Sequence, residues 1–232
     1  MKKFKKLIPA LCMLLISAVL VGTSTYAWFS MNPNVSATGM TINAKSDSTF
    51  LVINAGSSFK ADNTEMSATS QVTGTTSLYP VTPKTTLTTA NVTTASSWQY
   101  GYVYPGSTGT QYTTCTDLTN YVASEDFFIG LNTNSGVNES AKTIYLESVT
   151  LAANTGISCV VVCDGGNVVT VKSTDTFAAA DLGVKATKDG VKVTVYYFIN
   201  GEDSNVVSSK LTSLTGKVTL NFTIDHNDTP GA

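Results

Sequence analysis

The feature that most constrains this chain is a strict alternation of apolar and polar residues at widely separated places. Val218, Leu220, Phe222 and Ile224 alternate with Thr219, Asn221, Thr223 and Asp225. Val191, Val193, Val195, Tyr197 and Ile199 form a second apolar face, opposite Lys192, Thr194 and Tyr196. Met40, Ile42 and Ala44 alternate with Thr41, Asn43 and Lys45 in a third, shorter run. Successive side chains of a strand point to opposite faces, so a period of two marks strands with one face buried. A helix would spread the same residues around its whole circumference. The chain is therefore committed to sheets that cover a core on one side.

The stretches between these runs add further strands. Phe50 to Ile53, Trp98 to Tyr104, Phe127 to Leu131 and Ile144 to Leu151 are candidates. In the last, the apolar face passes from Ile144 and Leu146 to Val149 and Leu151, which predicts a bulge near Ser148. Ile157 to Cys163 is apolar on both faces and reads as a central strand. Asp164-Gly165-Gly166-Asn167 then turns the chain into Val168 to Lys172 as a hairpin. Short helices are expected at Asp117–Val122 and at Thr176–Leu182, the latter ended by Gly183. Lys60 to Thr114, rich in Thr, Ser, Gly and Tyr, is expected to form long surface loops and edge strands. Charged residues are only 13% of the chain and hydrophobic ones 42%, which excludes the high-charge, low-apolar signature of disorder.

The N-terminus carries the layout of an export leader. Lys2, Lys3, Lys5 and Lys6 precede an apolar run from Leu7 to Gly22, and Thr25-Tyr26-Ala27 offers small residues at the −3 and −1 positions. Cleavage is expected between Ala27 and Trp28, leaving about 205 residues, 28–232, as a single domain outside the cytoplasm. The rival is an uncleaved anchor, since the apolar stretch approaches the roughly 20 residues of a span; polar Thr23, Ser24 and Thr25 interrupt it. Contact with a membrane is thus expected only through the signal segment before cleavage. Four of the 14 basic residues leave with the leader; the ten that remain face 16 acidic ones, a net charge of −6. There is no arginine in the chain. Nucleic acid needs a basic footprint with bidentate donors, so it is excluded as a partner.

The stretch that begins "TYAWFSMN" and continues "VSATGMTINAK" resembles the start of the TasA/camelysin family of Gram-positive surface and biofilm-matrix proteins. "NYVASEDFFIGL" and "VKVTVYYFINGEDSN" are similar to segments of related clostridial surface proteins. The resemblance implies an all-β, jelly-roll-like β-sandwich, here with short helices and long Ser/Thr-rich loops. It also implies a dedicated signal peptidase that cuts before an aromatic residue, here Trp28-Phe29. In fibre-forming members the N-terminal strand of one subunit completes a sheet in the next. Carried onto this chain, residues 28–45 become the donor segment, with Val35 to Ala44 as its strand. Its contact residues would be Trp28, Phe29, Val35, Met40, Ile42 and Ala44. The alternative is that the same segment is the first strand of its own sandwich.

Catalytic chemistry finds little support. The one histidine, His226, has no second histidine a helical turn away, so the common zinc-peptidase motif is absent although camelysin carries a metallopeptidase label. Asp225 adjoins His226 on a strand and points to the other face, which leaves it poorly placed to orient the ring. No acidic pair stands out for glycoside hydrolysis, and the glycines of "DGGN" lack the helix and lysine of a phosphate loop. No catalytic residue, resident metal or cofactor is expected. Glu202, Asp203, Asp225, Asn227 and Asp228 offer oxygen ligands of the kind calcium takes, but turn chemistry accounts for them equally. After loss of Cys12 the cysteines are Cys115, Cys159 and Cys163, an odd set. Cys159 and Cys163 stand about 13 Å apart along a strand, too far to bridge, so free buried thiols are expected. The chain ends "DTPGA" without a sorting motif, so covalent wall anchoring is not expected.

The expected function is a secreted structural protein of the cell surface or extracellular matrix. Its partners would be copies of itself and other matrix or surface components. A carbohydrate-binding or adhesive module using Trp98, Tyr100, Tyr102 and Tyr104 is the alternative, and a secreted peptidase the more distant one.

Overall fold

The computed structural model describes residues 41–45, 51–62, 65–69, 78–101, 112–132, 142–206 and 218–224. They all belong to the second of two units, Ala37–Ala232; the first, Met1–Ser36, lies outside them, and the expected leader and cleavage site fall there. Among the described residues no helix is long and apolar enough to cross a membrane.

The described chain forms thirteen strands and one turn of 3-10 helix, Ala95–Ser97. The strands are β1 (Thr41–Lys45), β2 (Leu51–Ala55), β3 (Ser67–Thr69), β4 (Pro80–Pro83), β5 (Trp98–Tyr100), β6 (Thr113–Thr114) and β7 (Val122–Leu131). They continue as β8 (Thr143–Leu151), β9 (Ile157–Cys163), β10 (Val168–Val171), β11 (Ala180–Lys185), β12 (Val191–Asn200) and β13 (Val218–Thr223). One sheet runs β11-β8-β13-β1-β3. The other has β9 between β10 and β12, with β7 and then β2 beyond β12. The last two residues of β12, Ile199 and Asn200, pair instead with β4, which starts a branch β4-β5-β6. The protein is an all-β sandwich.

The alternation seen in the sequence fixes which faces meet. Val193, Val195, Tyr197 and Ile199 of β12 and Val218, Leu220 and Phe222 of β13 are buried. They join one core with Ile42, Ile53, Phe127, Ile129, Ile144 and Leu146, drawn from both sheets. β9 is central as expected, flanked by β10 and β12, and buried on both faces for a second reason. Residues 84–97 fold over the outer face of its sheet, where Leu87, Val92, Trp98 and Cys115 pack on Val81, Val160 and Phe198. Trp98 meets the Phe198 ring edge-on at 5.2 Å and donates from Nε1 to the Val92 carbonyl. Such a pair adds about 0.5–1.5 kcal/mol beyond the area it buries.

The expected bulge is present: β8 takes two steps, Ser148 to Leu146, while β13 takes one, Asn221 to Phe222. The β9–β10 hairpin turns through Gly165 at φ +72°, a left-handed conformation that glycine adopts without a Cβ clash. The two expected helices are absent. At Asp117–Val122 the Asp117 carboxylate accepts the Thr119 N–H, and the Leu118 carbonyl accepts those of Tyr121 and Val122. That single turn delivers the chain into β7 at Val122. At Thr176–Leu182 the edge of β8 captures the segment as β11, pairing Ala180 with Leu146 and Asp181 with Tyr145. Gly183, at φ +72°, sits inside the strand at a register shift and not beyond a helix end.

Beside β3 and beside β10 the sandwich carries backbone hydrogen bonds that cross between the sheets. On one side the Ile53 N–H donates to the Glu65 carbonyl at 3.0 Å. On the other the Asn167 N–H donates to the Leu182 carbonyl at 2.8 Å, and Asn167 Nδ2 donates to the Asp181 carbonyl. Bonds of this kind blunt edges that would otherwise template pairing with another chain.

Candidate functional site

β1 is the described part of the segment expected to contact other subunits. It lies inside its sheet, parallel to β13 and antiparallel to β3. The register sets Ile42 opposite Leu220 and Ala44 opposite Phe222. Ile42 is 1% exposed and belongs to the main core. Within one chain, then, β1 is an internal strand of its own sandwich. Parallel pairing is slightly weaker per residue than antiparallel, and the β1–β13 ladder is the one parallel ladder described in this sheet. The other expected contact residues, Trp28, Phe29, Val35 and Met40, lie outside the described residues, as does Ala27.

The acidic loop after β12 is held by its own side chains. Asp203, 5% exposed, accepts Ser173 Oγ at 2.6 Å on Oδ2, and the Asn205 N–H and Nδ2 at 2.9 Å each on Oδ1. Burial acts to raise its pKa, but the bonds from Ser173 and Asn205 outweigh burial and hold it below the ordinary carboxylate value. Ser173 in turn donates its N–H to Ser158 Oγ at 2.8 Å. Glu202 pairs with Lys172 at 2.6 Å, both partly exposed. Turn and network chemistry thus occupies Glu202 and Asp203, two of the four carboxylates named for calcium. Among the described residues no group of three or more acidic, cysteine or histidine side chains is placed to hold a metal. Asp225, His226, Asn227 and Asp228 lie outside the described residues.

The three thiols are free and buried. Burial pushes Cys159 and Cys163 up to about 12 and Cys115 to about 11. The thiolate is the nucleophile, so these side chains are inert near neutral pH. Their role is to pack, in line with the odd count in the sequence.

The aromatic stretch of the sequence divides. Trp98 is fully buried and cannot face a ligand, because the loop carrying Leu87 and Val92 covers it. β5 ends at Tyr100, and Tyr102 and Tyr104 lie outside the described residues. Tyr100, 39% exposed, stacks on Tyr121 with ring centroids 5.6 Å apart. Tyr121 also meets Tyr79, 40% exposed, at 6.0 Å. Sequence spacing gave no sign of this contact. The three residues stand before β4, at the end of β5 and before β7, and the pairing of Val81 with Tyr100 and the bond from the Tyr79 N–H to the Asn120 carbonyl bring them together. A shallow open groove of about 420 Å³ lies elsewhere, against Leu87, Asn167, Val168 and Asp181. Asn167 and Asp181 are spent there on holding Gly183 and the hairpin. No family model, curated protein or solved structure matches the chain.

Proposed function

We propose that this protein is a secreted structural component of the cell surface or extracellular matrix, polymerised by exchange of its N-terminal strand. The observation that carries this reading is the seat of β1. Beside β3 and beside β10 a backbone bond runs across from the other sheet, which blunts those two edges against simple strand addition. An interior position filled by a strand from near the N-terminus provides a different route. Withdrawal of β1 would leave a slot flanked by β13 and β3 and lined by the neighbours of Ile42. A copy of the same strand from another subunit fits that slot by construction, with the same Ile42 plug and the same ladder.

The order of the later strands supports the jelly-roll-like reading. From β7 to β13 the chain alternates between sheets, only β9 and β10 being consecutive in one sheet. The resemblance of the N-terminal motif to the TasA/camelysin family supports export and matrix assembly.

A cysteine lock tests the exchange. Asn43 and Asn221 are backbone partners in the β1–β13 register, and strands pair at a spacing a disulfide can bridge. The double variant Asn43→Cys, Asn221→Cys should stay monomeric by sedimentation when oxidised and assemble again when reduced. The native thiols, buried and held protonated, should not interfere. A locked chain that assembles like wild type would overturn the proposal.

A further inference from the structure

We propose that Tyr79, Tyr121 and Tyr100 form a shelf on which the pyranose rings of a neutral polysaccharide stack. The shelf lies beside the β4–β5 branch, in the sheet that does not contain β1, so it goes beyond the assembly role and does not depend on it.

Its placement is fixed by the fold. The Tyr79 N–H donates to the Asn120 carbonyl at 2.8 Å, tying the lead into β4 to the lead into β7. Tyr100 closes β5 opposite Val81. Tyr121 stands between the two rings and packs against the second core of Trp98 and Phe198. Tyr79 and Tyr100 are two of the three large hydrophobic side chains left exposed among the described residues, and both converge on Tyr121.

Shape, charge and size select the occupant. Rings 5.6 and 6.0 Å apart already touch one another, so no cage remains between them for a quaternary ammonium group. What they offer is the aromatic surface of Tyr79 and Tyr100 left two-fifths exposed, which suits the flat C–H face of a sugar. The exposed Thr119 and Asn120 supply hydrogen-bonding groups beside it. Asp117 acts electrostatically on Tyr121, and the one cation described on the β4-β5-β6 branch, Lys84, is bonded to Thr114 Oγ1 at 3.2 Å. An anionic glycan or nucleic acid is therefore not favoured. An aromatic side chain buries about 150–250 Å², so two rings two-fifths exposed and a third less so offer roughly 200 Å². A stable protein interface needs about 800 Å² per partner, far more than this shelf provides.

The test is retention of the full chain on insoluble cellulose, chitin and β-1,3-glucan, with circular dichroism as the check on folding. Wild type should be retained on at least one of the three, with little dependence on salt. Tyr100→Ala and Tyr79→Ala should each weaken retention roughly tenfold, the worth of about one aromatic contact, whereas Tyr100→Phe should keep most of it. The oxidised Asn43→Cys, Asn221→Cys monomer should bind as wild type does. Absence of retention on all three polysaccharides would overturn the proposal. So would retention that survives both alanine variants, appears only at low salt, or requires assembly.

Discussion

Glu202 and Asp203 are neighbours in the chain, yet their partners give them different weight. Glu202 and Lys172 form an ion pair with side chains 40% and 26% exposed, a setting in which such pairs contribute about 0–1 kcal/mol. Asp203 is buried and accepts three hydrogen bonds, one from Ser173 that fastens the loop after β12 and two from Asn205 within that loop. Its folded-state pKa is depressed, so its stabilisation is fully present above the ordinary value near 3.9 and is lost as pH falls through the folded value. Asp203→Asn keeps an acceptor for Asn205 but turns an amide toward Ser173. We expect it to lower unfolding free energy by about 1–3 kcal/mol near neutral pH. The deficit relative to wild type should shrink below about pH 4, as wild type loses the same charge. Urea unfolding of both proteins at a series of pH values checks this. Other depressed carboxylates, such as Asp126 beside Lys192, titrate in both proteins and cancel in the difference. A deficit independent of pH would mean that the charge of Asp203 is not what holds the loop.

At the scale of elements, the hairpin between β9 and β10 separates two uses of glycine that sit side by side. A Cβ on Gly165 meets nothing within 4 Å, but its φ of +72° costs an L-residue roughly 1–2 kcal/mol. Gly166 has no such dihedral, yet a Cβ there would collide with the Leu182 carbonyl, the group that closes the sandwich edge. Gly165→Ala should therefore lower stability modestly and leave hydrogen exchange at Asn167 protected. Gly166→Ala should expose the Asn167 amide by breaking its bond to Leu182. Equal protection in the two variants would show that the edge closes without that bond. The sequence was informative about such elements where one local pattern decides the outcome. β12 and β13 follow from alternation, β9 from its two apolar faces, the bulge near Ser148 from a change of apolar phase, and the hairpin from its glycines. Phe177 to Leu182, with three alanines and a leucine, reads locally as helix, but the open edge of β8 claims its end, from Ala180 on, as β11. Tertiary context likewise decided the exposure of Trp98, since Leu87 and Val92 cover it from a loop whose path no local pattern sets. The tyrosine shelf was illegible for the same reason, being made only when β4 pairs with β5 and is tied to Asn120.

At the scale of the whole molecule, the chain's first described strand is built into the middle of a sheet, against the last described one. β1 and β13 are separated by most of the sequence, so their ladder can form only after the intervening chain has folded around it. This makes β1 the strand most readily left out of a subunit, or supplied from elsewhere. Burying an isoleucine contributes about 1.5–3 kcal/mol, and each ladder hydrogen bond about 0.5–1.5 kcal/mol. Against a total stability of about 5–15 kcal/mol, loss of β1 should leave a marginal molecule and not a merely weakened one. A chain beginning at residue 46 should accordingly melt well below wild type. A synthetic peptide of residues 35–45, added in excess, should raise that melting temperature by filling the slot between β13 and β3, since a ligand that binds only the folded state stabilises it by mass action. The same peptide carrying Ile42→Asp should fail, because it would bring a carboxylate into a position 1% exposed in the intact chain. A truncated chain that melts like wild type, or one that both peptides stabilise equally, would mean that β1 is not a separable part of the sheet. Rescue by the native peptide alone would show that the seat accepts a strand from outside its own chain, which is the physical requirement for joining subunits end to end.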